Sequence, residues 1–322
     1  MSKILVTGGA GFIGSHLVEA LLKRGHRVTV LDNFITGSRN NLAPFAADPA
    51  FRLVTGDIRN IDDCRKAAEN ADFVLHEAAL GSVPRSLKDP LTTLSINDGG
   101  FVNMLEAARQ AGVRRFVYAS SSSVYGDDDH IPKREEFTGN ALNPYALSKQ
   151  HNESVARVYA TAFGMETIGL RYFNVFGPRQ SPVGAYAAVI PKFAERLLRH
   201  ESPVINGDGS ISRDFTYIDN VVQANLLALE TNDPAAVNQV YNIACGEQTT
   251  LNELFAYLRE DLSKFDPAIA KVDAKYGPPR TGDIPHSLAC IDKAKALLCY
   301  SPEDSVREGL RIAAKWYFED LK

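Results

Sequence analysis

The sequence predicts an α/β protein built on a doubly wound parallel sheet, with a smaller, interleaved C-terminal lobe. Short apolar runs alternate with helical patterns, such as the face shared by Ile13, Leu17 and Leu21, and this rhythm is typical of parallel strands joined by helical crossovers. The runs are almost continuously apolar, as expected for strands covered on both faces. Seven runs qualify as strands: Lys3–Thr7, Arg27–Leu31, Phe51–Val54, Asp72–Leu75, Arg115–Ala119, Thr167–Leu170 and Val240–Ile243.

The strand–helix rhythm breaks after about Arg171, where prolines and glycines become frequent. Such stretches are typical of loops and short elements rather than of a continuing parallel sheet. We therefore predict a sheet domain over residues 1–173, to which residues 214–245 return. Residues 174–213 and 246–322 are predicted to form the smaller, substrate-binding lobe.

The composition is that of an ordinary globular protein, with 322 residues of which 45% are hydrophobic and 23% charged. The net charge of −4 gives no general reason to bind nucleic acid or an anionic membrane. The N-terminal segment lacks a signal-peptide pattern, and no apolar run approaches the roughly 20 residues that span a bilayer. The four cysteines have no CxxC spacing and the seven histidines form no HxxxH or HExxH pair. We therefore expect free thiols, no metal site and a cytoplasmic location.

A glycine-rich turn joins the first predicted strand to the first predicted helix. Its glycines, Gly8, Gly11 and Gly14, lie at this junction as do those of dinucleotide-binding (Rossmann) folds, where glycines permit a tight turn and close approach of a pyrophosphate to the helix N-terminus. The spacing is GxxGxxG rather than GxGxxG, so a plain turn is the alternative.

Two carboxylates support the dinucleotide interpretation. The second strand leads into Asp32, where a carboxylate can accept from the adenosine ribose hydroxyls; because no Arg or Lys comes directly after it, NAD is favoured over NADP. Asp57, followed by Ile58, comes just after the third strand and could reach the adenine amino group. Capping of the next helix is the alternative for Asp57.

Tyr145 and Lys149 stand four residues apart at the start of a predicted helix, and therefore on one face of it. A free phenol titrates near 10, so a neighbouring cation is needed before Tyr145 can act as a base near neutral pH. The serines at 120–123 follow a strand at the carboxyl edge of the sheet, where one hydroxyl could bond the reacting oxygen and relay its proton. Asn97 precedes a predicted helix. It either caps that helix or belongs to the site.

These features together resemble the extended short-chain dehydrogenase/reductase family. The resemblance also rests on the His-Glu-Ala-Ala motif at residues 76–79 and on residues 171–178 and 212–219, which are similar to its nucleotide-sugar branch. It covers essentially the whole chain. The likeness is greatest to bacterial UDP-N-acetylglucosamine 4-epimerases, notably at residues 79–86, 184–191 and 282–287.

The resemblance implies NAD as cofactor, a UDP-sugar as substrate, and a homodimer paired through the helices that begin near Gly99 and Tyr145. Catalysis is assigned to Ser121, Tyr145 and Lys149, with Ser122 left open as a substitute for Ser121. The cofactor-binding positions are Gly8, Gly11, Phe12, Ile13, Gly14, Asp32, Asn33, Asp57, Ile58, Ala78, Ala79, Asn97, Tyr145, Lys149 and Tyr172. The substrate-binding positions are Ser82, Ser122, Ser123, Asn174, Val189, Arg213, Arg280, Asp283 and Ser287.

The two residues directly after Ser121 bear on the reaction. Dehydratases and decarboxylases of the family carry a carboxylate next to the catalytic hydroxyl, whereas this chain has Ser122 and Ser123. The departure favours simple epimerisation at C4 through transient oxidation to a 4-keto sugar. A non-catalytic NAD-binding scaffold is disfavoured because Tyr145 and Lys149 are both present.

The sugar is suggested by Ser287. In the resembling epimerases a bulky aromatic residue at this position excludes a 2-acetamido group, and a serine leaves space for it. The resemblance therefore favours conversion of UDP-GlcNAc to UDP-GalNAc. Arg85 and Ser86 could instead contact a C6 carboxylate, so UDP-glucuronate or UDP-N-acetylglucosaminuronate 4-epimerase is the alternative.

Overall fold

A computed structural model describes residues 1–182, 188–279 and 286–321 of the chain. The strands in this part are β1 (Lys3–Thr7), β2 (Arg27–Asp32), β3 (Phe51–Thr55), β4 (Phe73–His76), β5 (Arg115–Ser121), β6 (Glu166–Tyr172), β7 (Val175–Phe176), β8 (Val204–Asn206), β9 (Ser212–Arg213), β10 (Thr216–Tyr217), β11 (Gln239–Ile243), β12 (Thr249–Thr250) and β13 (Lys275–Gly277). The α-helices are α1 (Phe12–Lys23), α2 (Ile61–Ala68), α3 (Val83–Lys88), α4 (Pro90–Leu94), α5 (Gly100–Gln110), α6 (Pro144–Phe163), α7 (Val189–Leu198), α8 (Ile218–Glu230), α9 (Leu251–Ser263), α10 (Asp292–Leu298) and α11 (Val306–Asp320).

Seven parallel strands form the central sheet in the order β3-β2-β1-β4-β5-β6-β11. Each of the seven predicted runs overlaps one of these strands, so the predicted fold class is confirmed. Ile4 and Val6 of β1 belong to the buried cluster on one face of the sheet, and Leu5 belongs to the cluster on the other. This alternation explains why the strands are apolar throughout: helices cover both faces.

Local sequence fixes the helix that carries Tyr145 and Lys149. The Asn143 side chain caps the start of α6 by accepting from the backbone N–H of Ala146, and Pro144 occupies the first turn, where its missing N–H costs nothing. Gly164 ends the helix in the left-handed conformation. Tyr145 and Lys149 therefore lie in the first two turns, beside the carboxyl edge of the sheet.

The C-terminal lobe is built from short strand pairs and three longer helices. β13 pairs with β8 in parallel, β12 pairs with β9 antiparallel, and α9 packs against both α7 and α11. The stretch 214–245, predicted to return to the sheet domain, contains α8 and β11, and β11 pairs with β6. The domain boundaries themselves stay a prediction. Among the described helices, none combines the length and the apolar character required to cross a bilayer.

Candidate active site

The glycine turn between β1 and α1 forms a tight cradle. Gly8 has a φ of +68°, and a Cβ on it would lie 2.8 Å from the backbone nitrogen of Ala78. A Cβ on Gly14 would lie only 2.2 Å from the carbonyl oxygen of Gly8. Gly11 is the N-cap of α1 and contributes no side-chain hydrogen bond, which leaves the first N–H groups of the helix for an anion. The turn therefore requires glycine and presents a phosphate-binding helix end.

A cavity of about 270 Å³ lies over this helix end, along the carboxyl ends of β1, β2 and β4. This is the edge at which doubly wound sheets bind dinucleotides. The predicted cofactor-binding residues that line it are Gly8, Gly11, Phe12, Ile13, Gly14, Asp32, Asn33, Ile58, Ala78 and Ala79. Glu77 and Leu80, for which no contact with the cofactor was predicted, line it as well.

The Asp32 carboxylate is held in place at the end of β2. Its Oδ2 accepts from the backbone N–H of Ala10 at 2.9 Å, and its Oδ1 accepts from that of Phe34 at 2.7 Å. Each carboxylate oxygen has further lone pairs, which can accept from ribose hydroxyls. The carboxylate is thus oriented before any ligand binds.

Asp57 does not cap the following helix. Asn60 is the N-cap of α2, whereas the Asp57 carboxylate accepts from the Asn33 amide at 2.8 Å and from the Arg59 guanidinium at 2.6 Å. The hydrogen bonds from Arg59 lower the pKa of Asp57 to about 2, so it stays ionised. Asp57 and Asn33 form a fixed polar pair next to the cavity-lining Ile58.

Asn97 is not a helix cap either. It is buried within a π-helical segment, Ser95–Gly99, that joins α4 to α5. Its side chain accepts from the Leu80 N–H at 2.8 Å and donates to the Ser148 hydroxyl at 3.2 Å. Asn97 therefore fixes one wall of the cavity, and its predicted contact with the cofactor stays a prediction.

Tyr145 lies in the first turn of α6, close enough to Ser121 at the end of β5 for the serine side chain to affect its phenol. Burial raises the pKa of the Tyr145 phenol, Ser121 lowers it, and the charge of Glu77 raises it again. The Ser121 hydroxyl also accepts from the hydroxyl of Ser123 at 3.0 Å, which fixes its orientation. This geometry favours Ser121 over Ser122 as the proton relay.

Lys149 is buried on the same helix, and its Nζ lies 6.0 Å from the centroid of the Tyr145 ring. The ammonium donates to the carbonyl oxygen of Ala119 at 2.7 Å. Burial lowers the pKa of Lys149 to about 8. Three nearby carboxylates oppose this lowering: Glu77, Glu153 and Asp98.

Glu77 is a residue whose place in the site was missed from the sequence. Tyr172, predicted to bind the cofactor, donates its hydroxyl hydrogen to Glu77 Oε1 at 2.9 Å and accepts from the Asn225 amide at 2.8 Å. Burial raises the pKa of Glu77 to about 7, while Tyr172 and the charge of Lys149 lower it. The available signal was a carboxylate directly after an apolar strand, within the His-Glu-Ala-Ala motif.

In the C-terminal lobe, backbone hydrogen bonds bring together the segments that carry two residues predicted to bind substrate. Ser287 donates its backbone N–H to the carbonyl oxygen of Ser212 at 3.2 Å, and the Ser212 hydroxyl contacts the His286 ring at 2.8 Å. Arg213 follows Ser212 in β9. The structure therefore brings Arg213 and Ser287 onto paired segments, although 74 positions separate Ser212 from His286.

Asp214 is a second missed residue. Its buried carboxylate accepts from the backbone N–H groups of Cys245, Gly246 and Ala289 at 3.1 to 3.2 Å. Burial raises its pKa to about 7, against the effect of these hydrogen bonds. Asp214 thereby ties the strand carrying Arg213 to two other segments. In the sequence Asp214 is a single carboxylate next to Arg213, and nothing near it indicates these distant partners.

The remaining predicted substrate residues have separate local roles. Ser82 is the N-cap of α3, Ser122 opens a 3-10 turn, Asn174 donates to the Asp214 carbonyl at 2.9 Å, and Val189 is the first residue of α7. Ser86 is buried and donates to the Val83 carbonyl, so its suggested contact with a C6 carboxylate is not supported. Arg280 and Asp283 lie outside the described residues.

A group of potential metal ligands occurs in the loop after β5. Atoms of Asp128, Asp129 and His130 approach within 4.8 Å of one another. The Asp128 carboxylate already pairs with the buried Lys133 ammonium at 3.0 Å, and the other two residues are exposed. Exposed acidic loops of this kind are ordinary, and the group carries no metal assignment.

Comparison with known proteins gives consistent results. A model of the NAD dependent epimerase/dehydratase family matches residues 4–244. A UDP-glucose 4-epimerase of Mycolicibacterium smegmatis is 35% identical over 98% of both chains. The structure of a UDP-N-acetylglucosamine 4-epimerase from Methanobrevibacter ruminantium superposes with a TM-score of 0.91, at 37% identity and 98% coverage of both chains. A UDP-glucuronic acid 4-epimerase from Bacillus cereus, solved with UDP-glucuronic acid and NAD, gives 0.87, at 33% identity and 98% coverage of both chains.

The cradle and cavity fit NAD. A Cβ at Gly8 or Gly14 would collide with neighbouring backbone, the α1 N-terminus faces the cavity, and the Asp32 carboxylate stands at the end of β2. The resemblance inferred from the sequence is confirmed at the level of the family. The chain belongs to the NAD dependent epimerase/dehydratase family, and its cofactor is NAD.

Proposed function

We propose that this protein is a UDP-sugar 4-epimerase that interconverts UDP-GlcNAc and UDP-GalNAc. The observation that carries the proposal is the placement of Lys149 at the sheet edge that bears the dinucleotide cavity. Its ammonium lies 6.0 Å from the centroid of the Tyr145 ring and is bound to the Ala119 carbonyl of β5, the strand that ends at Ser121. The cradle from Gly8 to Gly14 and the Asp32 carboxylate would hold NAD, which would supply the acceptor for the C4 hydride of the sugar and the donor that returns it to the opposite face.

The side chains supply the proton chemistry. Tyr145 removes the proton of the sugar 4-hydroxyl and later restores it, with Ser121 hydrogen bonded to the same oxygen as relay. Because burial disfavours the phenolate, a cation is needed nearby, and the Lys149 ammonium provides it. The Ala119 carbonyl holds that ammonium in place.

Epimerisation, rather than elimination or decarboxylation, is supported by the serines next to Ser121. Ser122 and Ser123 form the first turn of the 3-10 helix Ser122–Tyr125 and offer hydroxyls in place of a carboxylate. A 4-keto sugar held at this position therefore meets no carboxylate from this turn. Return of the hydride is then the favoured outcome.

The nucleotide is anchored by the lobe. We assign the UDP contacts to Asn174, Val189 and Arg213 from the described residues, and to Arg280 and Asp283 by resemblance. A guanidinium suits a diphosphate because its donors can bind two oxygens at once. Firm anchoring lets the sugar turn over while its nucleotide stays bound.

The 2-acetamido preference rests on Ser287. This residue is partly exposed, and its backbone is fixed to β9 beside Arg213. A small side chain at a fixed wall leaves room for an acetamido group. The Methanobrevibacter ruminantium relative, named a UDP-N-acetylglucosamine 4-epimerase, supports this preference.

A UDP-uronate is the second candidate substrate, because the Bacillus cereus relative is a UDP-glucuronic acid 4-epimerase. The experiment is a panel of UDP-GlcNAc, UDP-glucose, UDP-glucuronate and UDP-N-acetylglucosaminuronate, each followed by chromatography of the products. We expect the highest kcat/KM for UDP-GlcNAc. A higher value for a uronate would replace this assignment, and turnover of none would refute the proposed function.

We also propose a homodimer formed through α4–α5 and α6. Leu91, Leu147 and Val158 on these helices are 82%, 51% and 55% exposed, and a Cβ on Gly99 would meet open space. Apolar side chains in this arrangement are typical of a helix–helix interface. Sedimentation should give twice the mass of the chain for the wild type and a single chain for Val158→Asp. A monomeric wild type at micromolar concentration would refute the dimer.

A further inference from the structure

We propose that Glu77 is a positioning residue that holds Lys149 in its protonated form, as the anchored counter-charge of the catalytic pair. The inference rests on the proposed epimerase function, because it assigns Glu77 a part in that reaction. It concerns charges within the protein, so its first test needs no substrate.

Two hydrogen bonds fix Glu77, and a third supports the second of them. Its backbone N–H donates to the Thr7 carbonyl at 3.2 Å, which places it at the end of β4 beside β1. The Tyr172 hydroxyl on β6 donates to its carboxylate at 2.9 Å, and Asn225 on α8 donates to that hydroxyl at 2.8 Å. A chain of hydrogen bonds from α8 therefore aims the carboxylate into the cavity.

The charged neighbours of Lys149 come from several parts of the fold. Glu77 follows β4, Asp98 lies in the π-helical segment, Glu153 lies one turn further along α6, and the neutral His76 ends β4. Glu153 is already paired with the Arg171 guanidinium at 2.8 Å, and Asp98 lies 3.3 Å from His151. Within the described part of the chain Glu77 forms no such ion pair. Its hydrogen bond to Tyr172 carries its carboxylate from β4 to β6 across the end of β5, and the Lys149 ammonium is bound to the Ala119 carbonyl of that same strand. Of the carboxylates acting on Lys149, Glu77 has the largest effect.

The consequence is a shift in the pH range of activity. Lys149 loses its proton as the pH rises through its pKa, and the attraction of ionised Glu77 moves that loss to higher pH. The same charge disfavours the Tyr145 phenolate, which is the cost of the arrangement. Without Glu77, the Lys149 ammonium would be lost at lower pH and activity would fall earlier on the alkaline side.

The direct test is the titration of Lys149 in the isolated holoenzyme labelled with [ε-13C]lysine, with Lys149→Arg to assign the resonance. We expect Lys149 to titrate about one pH unit lower in Glu77→Gln than in the wild type. The amide oxygen of the introduced glutamine can still accept from Tyr172, so the change removes charge and keeps the hydrogen bond. Glu135→Gln is the matched control, because Glu135 is another buried carboxyl but does not act on Lys149. Its titration should equal that of the wild type.

Tyr172→Phe is a second variant in case Glu77→Gln does not fold. Loss of the hydroxyl removes the donor that favours ionised Glu77, so Lys149 should shift in the same direction by a smaller amount. An unchanged Lys149 titration in folded Glu77→Gln, or in folded Tyr172→Phe where the first does not fold, would overturn the inference. An equal shift in Glu135→Gln would also overturn it.

The pH dependence of kcat/KM links the inference to the reaction. We expect the alkaline limb of the profile to move by about one pH unit to lower pH in Glu77→Gln. A uniform loss of rate with an unmoved limb would indicate a structural role and contradict the proposal. If the wild type epimerised no UDP-sugar, the proposed function would fail while the NMR titration still decided the role of Glu77.

Discussion

The cofactor side and the sugar side of this active site are assembled in different ways. The turn from Gly8 to Gly14, Asp32 and the Tyr145–Lys149 pair are each short sequence patterns placed at one edge of one sheet. The sugar side instead joins segments that are far apart along the chain, through Asp214 and the pairing of Ser212 with His286. The residues of the cofactor side can therefore be recognised from local sequence, whereas the proposed sugar side depends on contacts between distant segments.

The largest effect on activity should come from a change that leaves both the cofactor side and the sugar side intact. In Tyr145→Phe the ring remains while the acid–base hydroxyl is lost, so kcat should fall about 1,000-fold or more. Tyr159→Phe, on the same helix but bonded to Glu106, is the control and should keep full activity. NAD content and kcat are to be measured for both. Substantial turnover by Tyr145→Phe would remove Tyr145 from the mechanism.

Gly14→Ala tests the cofactor side alone. The new Cβ would lie 2.2 Å from the Gly8 carbonyl oxygen, so the turn must move and NAD affinity should fall about 100-fold. The measurement is NAD content of the purified protein together with the Kd for added NAD. Gly99→Ala, whose Cβ meets open space, should retain NAD as the wild type does. Normal NAD binding by Gly14→Ala would show that the cradle is not required.

Ser287→Tyr tests selection on the sugar side. If this position bounds the 2-acetamido group, kcat/KM for UDP-GlcNAc should fall about 10- to 100-fold while that for UDP-glucose changes little. Ser287→Thr is the conservative control and should retain most activity on both substrates. An equal loss for both sugars in the tyrosine variant would contradict the role of Ser287 as a selector.

Asp214→Asn tests how the distant segments are held together. An amide NH2 would face at least one of the three backbone N–H groups that now donate to the carboxylate. The segments that these groups belong to should then be held less firmly against β9. We expect KM for the UDP-sugar to rise about tenfold with NAD content unchanged. Asp273→Asn, an exposed change in the same lobe, should leave KM as it is. Loss of NAD in Asp214→Asn would contradict the view that the cofactor side is built independently of the sugar side.

The fold and the cofactor side were largely predictable because their signals are local. Parallel strands buried on both faces are continuously apolar, and only glycine fits the positions of Gly8 and Gly14. Glu77 and Asp214 were missed because a carboxylate's function depends on partners that only folding brings near. The sequence could not decide whether Asp57 and Asn97 cap helices. In the structure Asn60, not Asp57, caps α2, and Asn97 lies inside a π-helical segment.

In the proposed reaction the cradle from Gly8 to Gly14 would retain NAD throughout, so that the hydride removed from C4 of the sugar would return to the same sugar. The direct measurement incubates the holoenzyme with UDP-GlcNAc tritiated at C4, in the presence of excess unlabelled free NAD. We expect UDP-GalNAc to form with tritium retained at C4, and with none in water or in the free NAD. Release of the label to either pool would contradict it.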